Sequence, residues 1–355
     1  MKPNSVNSPL FFIIGRPRSG TTLLSVLFDA HPNVIIPGEC NFMLALSLKY
    51  QHIKTIDAKI IRQFIMDLKS TKFFKNIAID LNILEQNLMT LAPQTNFHEI
   101  IGMVHLSFTS VYPKGEILLR GDKNPSYSSE LFHKIIHTYT DAKYIHMIRD
   151  VHDHIGSVLS SRFLLPSATY MAIAWKKSIE RLAKYKKKKP EQFYTLRYED
   201  FVENPEKHTQ DLCSFLNLPY HPEILKFYLK KDEYQSHQPY KNFENHHKAL
   251  FNPINKSRIG NWHALLKGND LAAVELIAGK TAAQFGYEYK QHKLNAGIIY
   301  LLIKWYLYYF LVIILRAFVF SLPLRKRYKI IGKLKENRII IKLFRKISRR
   351  NALKK

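Results

Sequence analysis

Short apolar runs alternating with helical patterns, a glycine-bounded loop after the first run, and cations at the ends of the runs predict an α/β fold, a parallel sheet flanked by helices. Residues 10–14 are all apolar and read as a buried strand. Gly15 to Gly20 is a tight loop. Thr21 onward reads as a helix with Leu23, Leu24, Leu27 and Phe28 on one face, stopped by His31-Pro32. Strand, glycine loop and helix N-terminus together make a phosphate cradle, because successive N–H groups point inward and the helix dipole favours negative charge. Gly15 and Gly20 have the spacing of a P-loop, but Thr21 stands where the nucleotide-hydrolysing version has lysine.

The later elements follow the same logic. Val34 to Ile36 is a second apolar run, ended by Pro37-Gly38, with Glu39 directly after it. Spacings of three and four predict helices over 42–49, 58–69, 81–91 and 97–111. A strand at 117–119 runs into Arg120-Gly-Asp-Lys-Asn-Pro125, and a helix is expected over about 128–140. The strand at 143–148 ends in Arg149-Asp150, with a helix over 151–162 behind it. A long helix over 168–187 precedes a strand at 193–196, Arg197-Tyr-Glu-Asp200 and a helix over 205–217. Segment 231–261 reads as loop, and 269–285 as helix. In open parallel sheets the ligand crevice lies beyond the carboxyl ends of the strands. Arg16, Arg18, Lys123, Arg149 and Arg197 all follow expected strands, so their charges are expected at one edge.

Composition narrows the partners. The 355 residues carry 54 Lys and Arg against 28 Asp and Glu, a formal charge of +26. Such a balance favours anionic partners. The stretch 324–355 alone holds fourteen Lys or Arg and one acid, Glu336, so half of the charge sits there. General nucleic-acid binding by the main body is therefore a poor reading. Cys40 and Cys213 make neither a disulfide framework nor a metal-ligand pair, which points to a reducing compartment. No metal is expected, and the sixteen histidines are scattered. The apolar run near the N-terminus is too short for a signal-peptide core, so the loop is expected on the cytosolic side.

Four motifs in order carry a more specific resemblance. Gly15-Arg-Pro-Arg-Ser-Gly-Thr-Thr22 resembles the 5′-phosphosulfate loop of sulfotransferases that use 3′-phosphoadenosine 5′-phosphosulfate (PAPS). The strand before Arg149-Asp150, with Ser157 eight residues after the arginine, resembles the segment that holds the 3′-phosphate in that family. Leu196-Arg-Tyr-Glu-Asp-Phe201 resembles the segment whose tyrosine, here Tyr198, lies near adenine. Ser257-Arg-Ile-Gly-Asn-Trp262 resembles the late loop that folds over the nucleotide. The resemblance covers 8–290 and implies the P-loop NTPase-like sulfotransferase fold. Pro17 to Thr22, Asp29-Ala-His-Pro32, Gly38-Glu39 and Lys123 before Asn124-Pro125 are similar to tyrosylprotein and many bacterial carbohydrate sulfotransferases. That similarity implies Arg18 assisting the departing group, Glu39 as base and Lys123 as charge stabiliser. Arg16, Pro17, Arg18, Ser19, Gly20, Thr21, Thr22, Arg149, Ser157, Tyr198 and Ser257 are then the nucleotide contacts, and PAPS is the co-substrate.

The chemistry is coherent without the resemblance. Group transfer between oxygens is catalysed mainly by positioning and charge stabilisation, and a carboxylate can take the acceptor's proton. Other readings stand beside these. Glu39 can be an acid drawn to a helix N-terminus. Lys123 can close a strand end, Arg149 and Ser157 can be a surface arginine and a packing serine, and Tyr198 and Trp262 can be core. Two rival functions are a P-loop kinase, which Thr21 disfavours, and a non-catalytic basic membrane-binding protein.

Segment 294–323 is a separate apolar appendage, followed by a basic amphipathic tail over 324–355. Lys304 and Arg316 interrupt the apolar run and leave eleven uncharged residues, 305–315, about 16 Å of helix. That is half of a bilayer core. An in-plane or re-entrant anchor on an anionic membrane surface is expected, on its cytoplasmic side. The alternative is a helix packed on the domain or in a dimer. The acceptor is expected to be a hydroxyl on a glycan or glycolipid.

Overall fold

A computed structural model describes residues 4–322 apart from 72–73, 75–76, 92, 126–131, 161–166, 237–249 and 251. The expected basic tail lies outside the described residues. Among the described residues, five strands form one parallel sheet in the order β2-β3-β1-β4-β5. They are β1 (Leu10–Gly15), β2 (Val34–Ile35), β3 (Leu119–Lys123), β4 (Lys143–Ile148) and β5 (Phe193–Arg197). The helices are α1 (Thr21–Asp29), α2 (Phe42–Tyr50), α3 (Ala58–Ser70), α4 (Leu81–Met89), α5 (Phe97–Leu106), α6 (Phe132–Thr138) and α7 (Val151–Leu159). They continue with α8 (Ala168–Lys188), α9 (Tyr198–Glu203), α10 (Pro205–Leu216), α11 (Lys231–Ser236), α12 (Gly268–Ala283) and α13 (Ala296–Ser321).

Two compact units emerge, one of residues 1–148 and 184–256, the other of 149–183 and 257–355. The first contains the whole sheet. Alternation along its strands sends side chains to two faces. Phe11, Ile13, Ile145, Met147 and Leu196 join Leu24, Leu27 and Phe28 of α1 and Leu212, Cys213 and Leu216 of α10 in one buried cluster. The other face is aromatic. Phe12 and Phe193 stack on Tyr144 at 5.5 and 4.9 Å between ring centroids, and Phe132 of α6 meets Tyr144 edge-on. Helices α3, α4 and α5 begin at Asp57, Asp80 and Asn96, whose side chains accept N–H bonds of the first turn.

Three expectations need correction. The third strand was expected at 117–119 with Arg120 to Lys123 as loop, but β3 starts at Leu119 and includes those charged residues. They are tolerated because each finds a partner: Arg120 donates to the Ser8 carbonyl, Asp122 accepts from the Cys40 N–H and Lys123 pairs with Glu39. Residues 198–203, at the strand end, form α9, and α11 interrupts the loop expected over 231–261. The helix expected over 97–111 stops at Leu106, where Ser107 is its C-terminal boundary.

The second unit is helical in its described residues. Asn295 starts α13 by accepting from the Ile298 N–H, and Ile298 packs with Ala272 and Ala273 of α12. Tyr170 of α8 touches Trp305, Tyr308 and Tyr309 of α13.

Two buried histidines of the first unit make its stability pH-dependent. Burial, reinforced by Arg120 and Lys186 respectively, pushes His105 and His146 down to about 3. When unfolded they protonate near 6.5. The stability they contribute is complete above that value and is lost as pH falls toward 3, by about 1.4 kcal/mol per pH unit each. Urea midpoints should fall between neutral and mildly acidic pH, and His146→Gln should flatten that slope. An unchanged slope would exclude His146 as its source.

Candidate active site

β1 delivers the chain to the loop, and α1 takes it away. Gly15 is forced by its neighbour, since a Cβ there would lie 2.6 Å from the Met147 carbonyl oxygen of β4. Within the loop the Ser19 N–H donates to the Arg16 carbonyl at 3.2 Å, which folds it into a turn. Arg18 adopts φ 71° and Gly20 φ 89°. The left-handed region is open to glycine but costs an arginine about 1–2 kcal/mol, so the surroundings over-determine this loop. Gly20 stands at the N-terminus of α1, whose first turn carries no acidic residue. Ser19 and Thr21 are buried, and Arg16, Pro17, Arg18 and Thr22 are half-buried. A Cβ on Gly20 would meet the Tyr198 ring at 2.6 Å. Tyr198 itself is buried in the core cluster, so the first residue of α9 forms one wall of the loop.

Glu39 and Lys123 converge at the ends of neighbouring strands. Lys123 is the last residue of β3 and lies opposite Ile13 of β1, two residues before the loop. Glu39 follows β2 in a turn made by Gly38, at φ 94°. The Lys123 Nζ donates to the Glu39 Oε1 at 2.8 Å, with the lysine side chain 6% and the glutamate 31% exposed. Backbone bonds place the pair. The Lys123 N–H donates to the Gly38 carbonyl at 3.2 Å, and the Cys40 N–H donates to Asp122 Oδ1 at 2.9 Å. Asn124 Nδ2 donates to Asn41 Oδ1 at 3.1 Å. Asp122 is fully buried, and burial together with Asp122 pushes the Cys40 thiol well above its ordinary value.

In the second unit Arg149, Ser157 and Ser257 belong to one local arrangement. Asp150 starts α7 by accepting the His152 and Asp153 N–H bonds, each at 2.9 Å. The buried Arg149 donates from Nη2 to the Arg258 carbonyl, and Trp175 Nε1 donates to the Arg149 carbonyl at 3.1 Å. The Gly260 N–H donates to Asp153 Oδ2 at 2.7 Å. The Trp262 backbone passes so close to Gly156 that a Cβ there would lie 3.0 Å from it. The expected late loop thus folds onto α7. Ser157 is half-buried and Ser257 exposed. Burial pulls His152 down, but Asp150 and Glu275 prevail and hold its imidazole above the ordinary histidine value.

Residues 9–222 match the family model described as "Sulfotransferase family". The chain belongs to the sulfotransferase family. It is similar to protein-tyrosine sulfotransferase 1 of Danio rerio, 26% identical over 222 residues, which are 61% of this chain and 55% of that protein. It is also similar to protein-tyrosine sulfotransferase A of Caenorhabditis elegans, 24% identical over 306 residues, 82% of this chain and 70% of that protein. Among solved structures, the sulfotransferase domain from the curacin biosynthetic pathway shares the fold with a TM-score of 0.54 at 23% identity, covering 80% of this chain and 99% of that one.

The sulfotransferase fold thus brings the glycine loop, Glu39 and Lys123 to one edge of its sheet. Arg197 is different, because its guanidinium turns to Asp200 of α9 at 3.5 Å. His31, in the Asp29-Ala-His-Pro32 motif, is engaged by the Asn33 N–H at Nδ1 and the Pro219 carbonyl at Nε2. Sequence reasoning missed Asp122 as the support of the Glu39 turn. Its only signal was an acid between Arg120 and Lys123 in a stretch taken for loop. Asp122→Ala leaves the buried Cys40 N–H without its acceptor, at a cost of about 1–3 kcal/mol. Urea denaturation should show that loss, with Asp122→Asn recovering part of it. A wild-type midpoint for Asp122→Ala would remove this bond from the support of the turn.

Proposed function

We propose that this sulfotransferase transfers a sulfuryl group from PAPS to an acceptor hydroxyl. The Glu39–Lys123 pair carries the reading: an acid and a cation 2.8 Å apart, on strand ends beside a glycine loop that lacks the P-loop lysine. The cradle fits an anionic group. The first turn of α1 has no acid to repel it, and the dipole of α1 favours it. Ser19, Gly20, Thr21 and Thr22 hold the 5′-phosphosulfate through N–H and hydroxyl groups, with Arg16 and Pro17 shaping the loop. Arg149 and Ser157 bind the 3′-phosphate, Tyr198 borders the adenine, and Ser257 belongs to the loop that covers the nucleotide.

PAPS supplies an activated sulfuryl group, and the protein supplies placement, charge and a proton acceptor. Glu39 takes the acceptor's hydroxyl proton. Lys123 and Arg18 offset the negative charge that accumulates on the transferred group and on the departing phosphate, where one such donor is worth about 3–4 kcal/mol. We assign the acceptor to a glycan or glycolipid, presented at the cytoplasmic face of a membrane to which the apolar α13 holds the enzyme. The names of the curated relatives favour a second reading, a protein tyrosine.

Incubation with sulfur-labelled PAPS and either glycolipid or tyrosine peptide separates these readings. Label on the glycolipid is expected; label on the peptide alone selects the second. ATP-dependent transfer without PAPS binding would overturn both. Glu39→Gln should lower kcat by about 10²–10⁴-fold with nucleotide affinity retained. Arg149→Ala should weaken nucleotide binding by about tenfold or more while Glu39 chemistry persists in saturated enzyme.

A further inference from the structure

α13 runs for 26 residues, about 39 Å of helix. Its two faces differ. Ile298, Trp305 and Val319 are buried, and Trp305, Tyr308 and Tyr309 rest on Tyr170 of α8. On the other face lie Tyr300, Ile303, Leu307, Phe310, Leu311, Ile314 and Phe318, each with another of the set three or four residues away and each between 51% and 63% exposed. An uninterrupted apolar stripe of this length is far from the scattered exposure usual on a soluble surface.

The two charges that break the apolar run in sequence do not break this face. At 100° per residue, Arg316 falls on the side of Ile298 and Trp305, and Lys304 falls at the border. The Lys304 Nζ lies over the Tyr300 and Trp305 rings, 5.4 and 5.1 Å from their centroids. An ammonium there can reach headgroup level while the stripe is immersed. By length and composition α13 could cross a bilayer. Its packing against α8 and α12 over residues 298–309 instead suits a helix lying in the interface, with one side on protein and the other in lipid.

We propose that the Tyr300–Phe318 face of α13 is an in-plane docking surface for an anionic lipid bilayer. Charge selects this occupant over a second copy of the chain. The sequence after α13, residues 324–355, carries fourteen Lys or Arg and one acid. Parallel pairing of two copies through the stripe would bring two such segments together and antiparallel pairing would leave both without counter-charge, whereas an anionic leaflet neutralises each. This surface is independent of the acceptor and of the roles given to the catalytic residues.

Flotation of the full-length protein tests the proposal. It should float with vesicles of phosphatidylcholine containing about one third phosphatidylglycerol, and at least about tenfold less with pure phosphatidylcholine or in high salt. Leu307→Glu, Phe310→Glu and Ile314→Glu together should reduce flotation about tenfold or more, with the circular dichroism spectrum and melting midpoint retained. On sealed vesicles with protein added outside, trypsin should cut the basic segment. No flotation of the wild type, wild-type flotation of the triple variant, or a trypsin-protected segment would each overturn the proposal. So would a dimer that the triple variant dissociates while vesicle binding persists.

Discussion

Parallel pairing of β1 with β3 on one side and β4 on the other is the constraint on which the site depends. A strand flanked in parallel on both sides must send its connections away at the same edge as its neighbours. The register sets Gly15 opposite Met147 and Ile13 opposite Lys123. β4 comes so close that only glycine fits at the strand end, and β3 brings its lysine to the start of the loop. The meeting of the glycine loop and Lys123 at this edge is a consequence of strand order before it is a consequence of any side chain.

The ion pair at that edge is a matter of placement more than of stability. Withdrawing an ammonium from water costs several kcal/mol, which attraction to a partly exposed carboxylate offsets only in part. What keeps the pair in position is backbone. The Gly38 carbonyl, the Cys40 N–H and the Asn41 side chain are each gripped by one of three consecutive residues, Lys123, Asp122 and Asn124. The turn that carries Glu39 is therefore stitched to a strand more than eighty residues away in sequence. The Gly20–Tyr198 contact does the same for the loop from the side of α9.

Much of this was legible in the residues. β1, β4 and β5 are apolar runs with clear breakers, and the loop between Gly15 and Gly20 announces itself by spacing. β3 was not legible, because Arg120, Asp122 and Lys123 argue locally for solvent. Their partners Ser8, Cys40 and Glu39 are distant in sequence, so only tertiary structure shows that these charges can be buried. Glu39 and Lys123 were each identifiable from their neighbours, but their direct contact was not. Lys304 and Arg316 looked like interruptions for the opposite reason: a linear reading cannot see that helical rotation turns Arg316 away from the Tyr300–Phe318 face and leaves Lys304 at its border.

The burial of Cys40 has a consequence for where such a site can operate. It is one residue from Glu39, yet it is fully buried and its thiol resists ionisation. Cys213 is buried in the core with its thiol pushed up to about 11. Neither sulfur offers the accessible thiolate that oxidants and alkylating reagents attack. Two reduced cysteines therefore lose their force as a marker of a reducing compartment. Both thiols are shielded by burial, and a thiol reagent should find little to modify in the folded state.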